Sequence, residues 1–138
     1  MQLSSADALT AGIVLLTVVA IAYGGTFLLR VGAGRPPTNE LQKAFFRAGH
    51  AHAGVLVILG LVVLMLTSSP GVPVWAHRLG TGVLWAAVLI PAGFFLSVAG
   101  RDPQRPSKLL VLLWIGAASL TVGLVAAGVG LIVSVDAA

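Results

Sequence analysis

Four long apolar stretches alternate with short segments rich in polar residues, glycine and proline. An apolar helix of about 20 residues, rising about 1.5 Å per residue, spans the ~30 Å hydrocarbon core of a bilayer. The pattern therefore predicts an all-α integral membrane protein, a four-transmembrane-helix bundle that forms a single domain over residues 1–138. The predicted helices cover approximately residues 8–29, 39–67, 79–99 and 108–135.

Local signals refine the second helix most clearly. Asn39 is followed three residues later by Gln42, a spacing that predicts a capping box at the helix N-terminus. Glu40 and Lys43 are also three residues apart, and such side chains can pair on a helix surface. Pro91 interrupts the third apolar stretch and is expected to kink that helix.

Composition supports lipid as the solvent of this chain. Hydrophobic residues make up 58% of it and charged residues 9%, whereas a soluble domain carries roughly 25% charged residues. The sequence contains no cysteine, which excludes disulfides, thiolate metal sites, iron–sulfur clusters and cysteine nucleophiles. The net charge of +4 resides in loops between apolar stretches, so anionic lipid headgroups explain it better than nucleic acid does.

Basic residues are distributed unequally between the two predicted membrane sides. Arg78 stands alone on one side, and the remaining Lys and Arg residues flank the first and third loops. By the positive-inside rule, this asymmetry predicts that both termini are outside, in the plasma membrane of a bacterium, with the loops Arg30–Arg47 and Arg101–Lys108 in the cytoplasm. The basic residues of those two loops are Arg30, Arg35, Lys43, Arg47, Arg101, Arg105 and Lys108.

Carboxylates are absent from the middle of every predicted span. Asp7, Glu40, Asp102 and Asp136 all fall at helix ends or in loops. A proton-coupled exporter or a pump relies on such a group inside the membrane, so the pattern argues against those classes. The sequence also lacks phosphate-binding glycine loops, the His-Glu-x-x-His motif and a serine nucleophile elbow.

The densest group of polar side chains at a membrane edge lies in the second helix, where His50 and His52 follow Arg47. Residues two apart on a helix point about 200° apart, so these histidines cannot chelate one ion together. They can serve two different neighbours. We expect His50 to face inward, because it shares a helix face with Arg47 and Gly54, and His52 to lie on the apolar face opposite. His77 lies on the other membrane side, too far away to join either histidine, and whether it has a role stays undecided.

The segment Phe46–Gly54 (FRAGHAHAG) resembles the His-x-His helix of haem–copper oxidase catalytic subunits and of their small uncharacterised membrane relatives. The resemblance covers nine residues of the chain. It implies that His50 and His52 are each an axial haem ligand and that Arg47 meets a haem propionate.

Three functions remain open from the sequence. The first is an electron-transfer or accessory subunit with a haem, a transition metal or a quinone bound at His50 and His52, near the cytoplasmic interface. The second is a structural or assembly protein without chemistry, and the third is a small transporter or channel. Whether the protein is an enzyme stays undecided.

The expected partners are the lipid bilayer and either further copies of the chain or a larger membrane complex. In the fourth span, Ser119, Gly123 and Ala127 recur every four residues and form a seam of small side chains that permits close helix packing. We expect association between copies through this seam if it faces away from the bundle.

Overall fold

A computed structural model describes residues 3–135 as four helical spans, and it contains no strand within that range. The third span consists of two consecutive helices, α3 (Val74–Gly80) and α4 (Gly82–Ser97), that meet at Thr81. A single 3-10 turn, Lys108–Leu110, leads into the last helix. The predicted all-α, four-span membrane architecture is confirmed. The helices are α1 (Ser5–Gly32), α2 (Glu40–Thr67), α3 (Val74–Gly80), α4 (Gly82–Ser97) and α5 (Val111–Val135).

The third span begins at Val74, five residues earlier than the sequence pattern predicts. Pro73 stands at the N-cap with φ −58°, a value that suits a helix start, and a proline there sacrifices no intrahelical hydrogen bond. His77 and Arg78 therefore lie inside a helix and not in the turn that precedes it. The position of His77 within this helix determines which residues its side chain can contact.

The capping box at the start of α2 is confirmed. The Gln42 backbone N–H donates to Asn39 Oδ1 at 2.9 Å, and the Asn39 N–H donates to Gln42 Oε1 at 3.2 Å. Gln42 Nε2 also donates to the carbonyl oxygens of Val98 and Gly100, at 3.1 and 3.0 Å. The start of α2 is thereby joined to the end of α4. The predicted pair between Lys43 and Glu40 is present as well, at 2.8 Å.

Helix α5 packs closely on α3 and α4 through its small residues. Ser119 Oγ donates to the Gly82 carbonyl oxygen at 2.8 Å, and a β-carbon on Gly123 would lie 3.0 Å from the Val83 backbone nitrogen. Ala127 is buried. The seam of small side chains is therefore internal, and the condition for association through it is not met.

Helix α1 is packed differently from the others. Among the described residues, no α1 Cα lies within 8 Å of a Cα in α3, α4 or α5, and only α2 approaches it that closely. Val31, near its C-terminal end, is its one buried residue. Phe27 meets Phe46 of α2 there, edge to face, with ring centroids 5.4 Å apart. Most of the apolar surface of α1 is left for lipid.

Candidate functional site

A cleft separates α1 from α4 along much of the bundle, with α2 forming its floor. Two cavities follow one another along it, with volumes of about 370 and 520 Å³. The α1 wall is built by residues at helical spacing, which places them on one face. We call this space the α1–α4 cleft, and its walls include Thr10, Ile13, Val14, Thr17, Ala20, Ile21 and Gly24 from α1, and Thr81, Leu84, Trp85, Ala87, Val88, Pro91 and Phe95 from the third span.

His50 lines the 370 Å³ cavity of this cleft, beside Ala53 and Val57. Its half-buried ring lies against Gly24 and Gly25 of α1, where a β-carbon on Gly25 would lie 3.6 Å from His50 Nε2. Within residues 3–135, neither ring nitrogen has a hydrogen-bond partner. A ligand that supplies a hydrogen-bond partner to this ring would gain about 0.5–1.5 kcal/mol, the net value of a typical hydrogen bond.

His52 faces the other way and is exposed. Its ring lies 5.2 Å from the ring of Phe94 on α4, and Nδ1 is 2.8 Å from the Ala48 carbonyl oxygen. Because a carbonyl only accepts, Nδ1 carries a proton and donates, which leaves Nε2 available. A backbone carbonyl orients many metal-ligating histidines in this way.

The three residues predicted as a site are not brought together. Arg47 is exposed, and its Nε donates to the Lys43 carbonyl oxygen at 3.3 Å. His50 contacts α1 and His52 contacts α4, as their two-residue spacing on one helix requires. Across the part of the chain that the structure describes, no three His, Asp or Glu side chains are grouped so that they could hold a metal ion.

A polar cluster at the opposite end of the bundle was not predicted. Asp7, in the first turn of α1, accepts from His77 Nε2 of α3 at 3.1 Å. Ser4 Oγ lies 2.8 Å and Ser68 Oγ 3.2 Å from the other carboxylate oxygen of Asp7. His77 Nδ1 is 3.0 Å from Thr67 Oγ1. These groups, which we call the Asp7–His77 latch, join α1 to the turn between α2 and α3.

Proton counting defines two states of the latch. Thr67 Oγ1 has one proton and three possible acceptors, which are the Val63 carbonyl oxygen at 2.8 Å, the Leu64 carbonyl oxygen at 3.4 Å and His77 Nδ1 at 3.0 Å. If Thr67 donates to either carbonyl oxygen, His77 must donate from both nitrogens and is an imidazolium. If Thr67 donates to Nδ1, the ring is neutral and still donates from Nε2 to Asp7. Both states keep α1 attached.

The order acid, histidine and hydroxyl also occurs in nucleophilic hydrolases, but this cluster cannot perform that chemistry. The Thr67 side chain is buried, with 3% of the residue exposed, so its hydroxyl cannot reach a substrate. A nucleophile must reach its substrate as well as its base. The cluster is therefore a structural connection.

The sequence does contain a signal for the latch. Starting the third helix at Pro73 places His77 one turn into that helix, at the same end of the bundle as Asp7 in the first turn of α1. Asp136, the remaining acid, lies outside the described residues.

The site is thus a single unpartnered imidazole in an apolar cleft, with a second histidine on the outer face of the same helix. Comparisons with models of known families, with curated proteins and with solved structures give no match to this chain.

Proposed function

We propose that the protein binds a lipid-soluble quinone in the α1–α4 cleft and serves as an accessory or electron-transfer subunit. The observation that supports this proposal is the ring of His50, which has no hydrogen-bond partner among the described residues and lines an apolar cavity between two helices that stand apart. A quinone suits such a place, because its flat headgroup carries carbonyl acceptors and its isoprenoid tail is as apolar as lipid.

The neighbours of His50 fit the two parts of such a ligand. A neutral imidazole N–H donates to a quinone carbonyl oxygen, and Pro91 and Phe95 supply apolar surface beside the headgroup. The tail then lies between α1 and α4, toward Trp85. The cavity at His50, about 370 Å³, is within the ~300–1,000 Å³ range of small-molecule pockets.

The electrons that such a quinone carries come from another protein. This chain offers no cysteine for an iron–sulfur cluster, and the polar side chains of its quinone site are Thr17 and His50, neither of which carries electrons. We therefore propose that the protein acts within a homo-oligomer or a larger membrane complex. The outward surface of α1, which is largely exposed, is the surface available for that association.

Replacing His50 by leucine is expected to weaken quinone binding about tenfold, the effect of losing one hydrogen bond of about 1.4 kcal/mol. Trp85 lines the same cleft, so quenching of its fluorescence reports binding. The measurement uses protein in nanodiscs with Trp75 and Trp114 replaced by phenylalanine, titrated with a benzoquinone that bears a short alkyl tail.

His52→Leu is the matched control, because it removes the same side chain two residues away on the outer face of α2. It should leave binding unchanged. Equal affinity of wild type and His50→Leu would overturn the quinone proposal. If neither histidine affects binding of any cofactor, a structural role without chemistry becomes the better account.

A haem is the second candidate, and the hydrogen bond from His52 Nδ1 to Ala48 favours it. The bond fixes the ring and leaves Nε2 free on the outer face of α2, where it could ligate iron together with the same residue of another copy. This arrangement predicts a Soret band in the purified protein. The band would persist in His50→Leu and disappear in His52→Leu, the reverse of the quinone result.

We also propose that both termini lie outside a bacterial plasma membrane and that the two basic loops are cytoplasmic. The hydrogen bond from Asn39 Nδ2 to Asp102 Oδ1, at 2.8 Å, supports a common location for those loops at one end of the bundle. Single cysteines at Ala33 and Gln104 should then be labelled only from the cytoplasmic side, and one at Pro70 only from outside. Labelling of position 33 in intact cells by an impermeant thiol reagent would contradict this orientation.

A further inference from the structure

We propose a second ligand site, at the end of the bundle where the first and third loops meet. There the structure assigns a binding cavity for a zwitterionic phospholipid headgroup that carries a phosphate and a primary ammonium. The cavity has a volume of about 530 Å³. It shares no lining residue with the two cavities of the α1–α4 cleft, so this inference is independent of the proposed function.

Two loops are held rigidly around this cavity. Asn39 Nδ2 donates to Asp102 Oδ1 and to the Pro103 carbonyl oxygen, both at 2.8 Å. Gln42, which is buried and lines the cavity, donates to the carbonyl oxygens at the end of α4. The backbone of both loops and the side chains of Gln42 and Asp102 are therefore held in place before any ligand arrives, which lowers the entropic cost of binding.

A buried hydroxyl in the cavity wall has no partner. Thr38 Oγ1 is shielded from solvent and makes no hydrogen bond within residues 3–135. Buried polar atoms in native proteins are nearly always paired, so an unpaired one calls for an explanation such as a missing ligand. Because Thr38 lines the cavity, we assign a phosphate oxygen as the acceptor that its hydroxyl would reach by rotation of the side chain.

The cavity presents one charge of each sign. The guanidinium of Arg101 has no ion pair or hydrogen bond among the described residues, and neither does the second carboxylate oxygen of Asp102. The loop adopts uncommon backbone conformations at this point, with φ +45° at Asp102 and φ +124° at Gly100. Glycine adopts a positive φ readily, whereas Asp102 is a non-glycine residue in the left-handed region, and such residues cluster at ligand sites because the surrounding structure must hold them there.

The location and the charges together select the ligand. Phe27 and Phe46 form the apolar side of the cavity at the ends of α1 and α2, so a lipid can place its headgroup there with its chains along the helices. Arg101 and Thr38 match a phosphate. The carboxylate of Asp102 disfavours a purely anionic lipid and matches a primary ammonium, which donates hydrogen bonds where a quaternary ammonium cannot.

Native mass spectrometry of the protein with defined lipids tests this inference. Phosphatidylethanolamine should bind more tightly than phosphatidylcholine or phosphatidylglycerol of the same chain length. Arg101→Gln and Thr38→Val should each weaken its binding, Arg101→Gln by about tenfold or more, as expected when a charge-assisted hydrogen bond is lost. Arg105→Gln is the control, since it removes an exposed charge of the same loop that does not line the cavity.

Asp102→Asn provides a variant that should keep the fold. Asparagine tolerates positive φ and retains an oxygen that can accept from Asn39. It should abolish the preference for phosphatidylethanolamine over phosphatidylcholine while preserving binding of the phosphate. Equal binding of both lipids by the wild type would overturn the proposal, and so would a preference for phosphatidylglycerol. Inorganic phosphate should not displace the bound lipid at equal concentration, and displacement would instead identify a site for free phosphate.

Discussion

Gly93→Val is expected to lower the free energy of unfolding by about 3 kcal/mol, the upper end of the usual cost of overpacking a core. A β-carbon at this position would lie 2.5 Å from the backbone nitrogen of Leu113 and 2.9 Å from its Cα. A side chain could rotate away from such a contact, but a helix backbone cannot. Helices α4 and α5 would therefore have to separate. This separation would also break the close contact between Gly116 and Ile90.

Unfolding of the protein in mixed micelles by a denaturing detergent gives this free energy. Gly128→Val is the matched control, because no atom lies within 4 Å of a β-carbon at Gly128, on the exposed side of α5. Its stability should stay within about 0.5 kcal/mol of wild type, as surface substitutions usually do. Equal losses in both variants would show that valine in these helices is harmful for a reason other than the α4–α5 contact.

His77→Phe is expected to release the N-terminal end of α1 from the bundle. The substitution keeps a ring of similar size and removes the hydrogen bonds to Asp7 and Thr67. It leaves the Asp7 carboxylate, 13% exposed in its side chain, without its basic partner. Truncating one member of such a pair costs about 2–3 kcal/mol, and α1 has few other contacts at this end to compensate.

The cysteine-free chain allows spin labels at Ser5→Cys on α1 and Val74→Cys on α3, both of which are exposed. Pulsed electron paramagnetic resonance should report one narrow distance in the wild type and a broad distribution in His77→Phe. Glu40→Gln is the control, because it breaks an ion pair whose Glu40 side chain is 86% exposed, and such pairs contribute little. A narrow distance in His77→Phe would show that the latch does not hold α1.

The sequence was sufficient for the spans because the bilayer imposes them. Backbone groups must be paired internally in hydrocarbon, so an apolar stretch of sufficient length forms a helix whatever its neighbours are. The capping box of Asn39 and Gln42 and the pair of Glu40 and Lys43 were predictable for a similar reason, since both partners lie within one helical turn.

Contacts between distant residues were beyond the sequence. A helix start at Pro73 places His77 at the same end of the bundle as Asp7, but their contact also depends on how α1 is placed against α2, which the pattern does not show. The seam at Ser119, Gly123 and Ala127 was visible as small residues, but its periodicity does not reveal whether the facing surface belongs to this chain.

The same limit applied to the histidines. Helix geometry separated His50 from His52, and only the fold could assign Gly24 and Gly25 to one ring and Phe94 to the other.

The distance between α1 and α4 makes the surrounding membrane a thermodynamic component of the native state. A cleft that the chain does not fill with its own side chains is filled by molecules from the bilayer, and each molecule that binds the assembled cleft but not the separated helices stabilises the assembly by mass action. Docking of α1 is then a binding equilibrium whose position depends on the activity of the membrane molecules that fill the cleft. The same sequence has a different stability in each membrane that it enters.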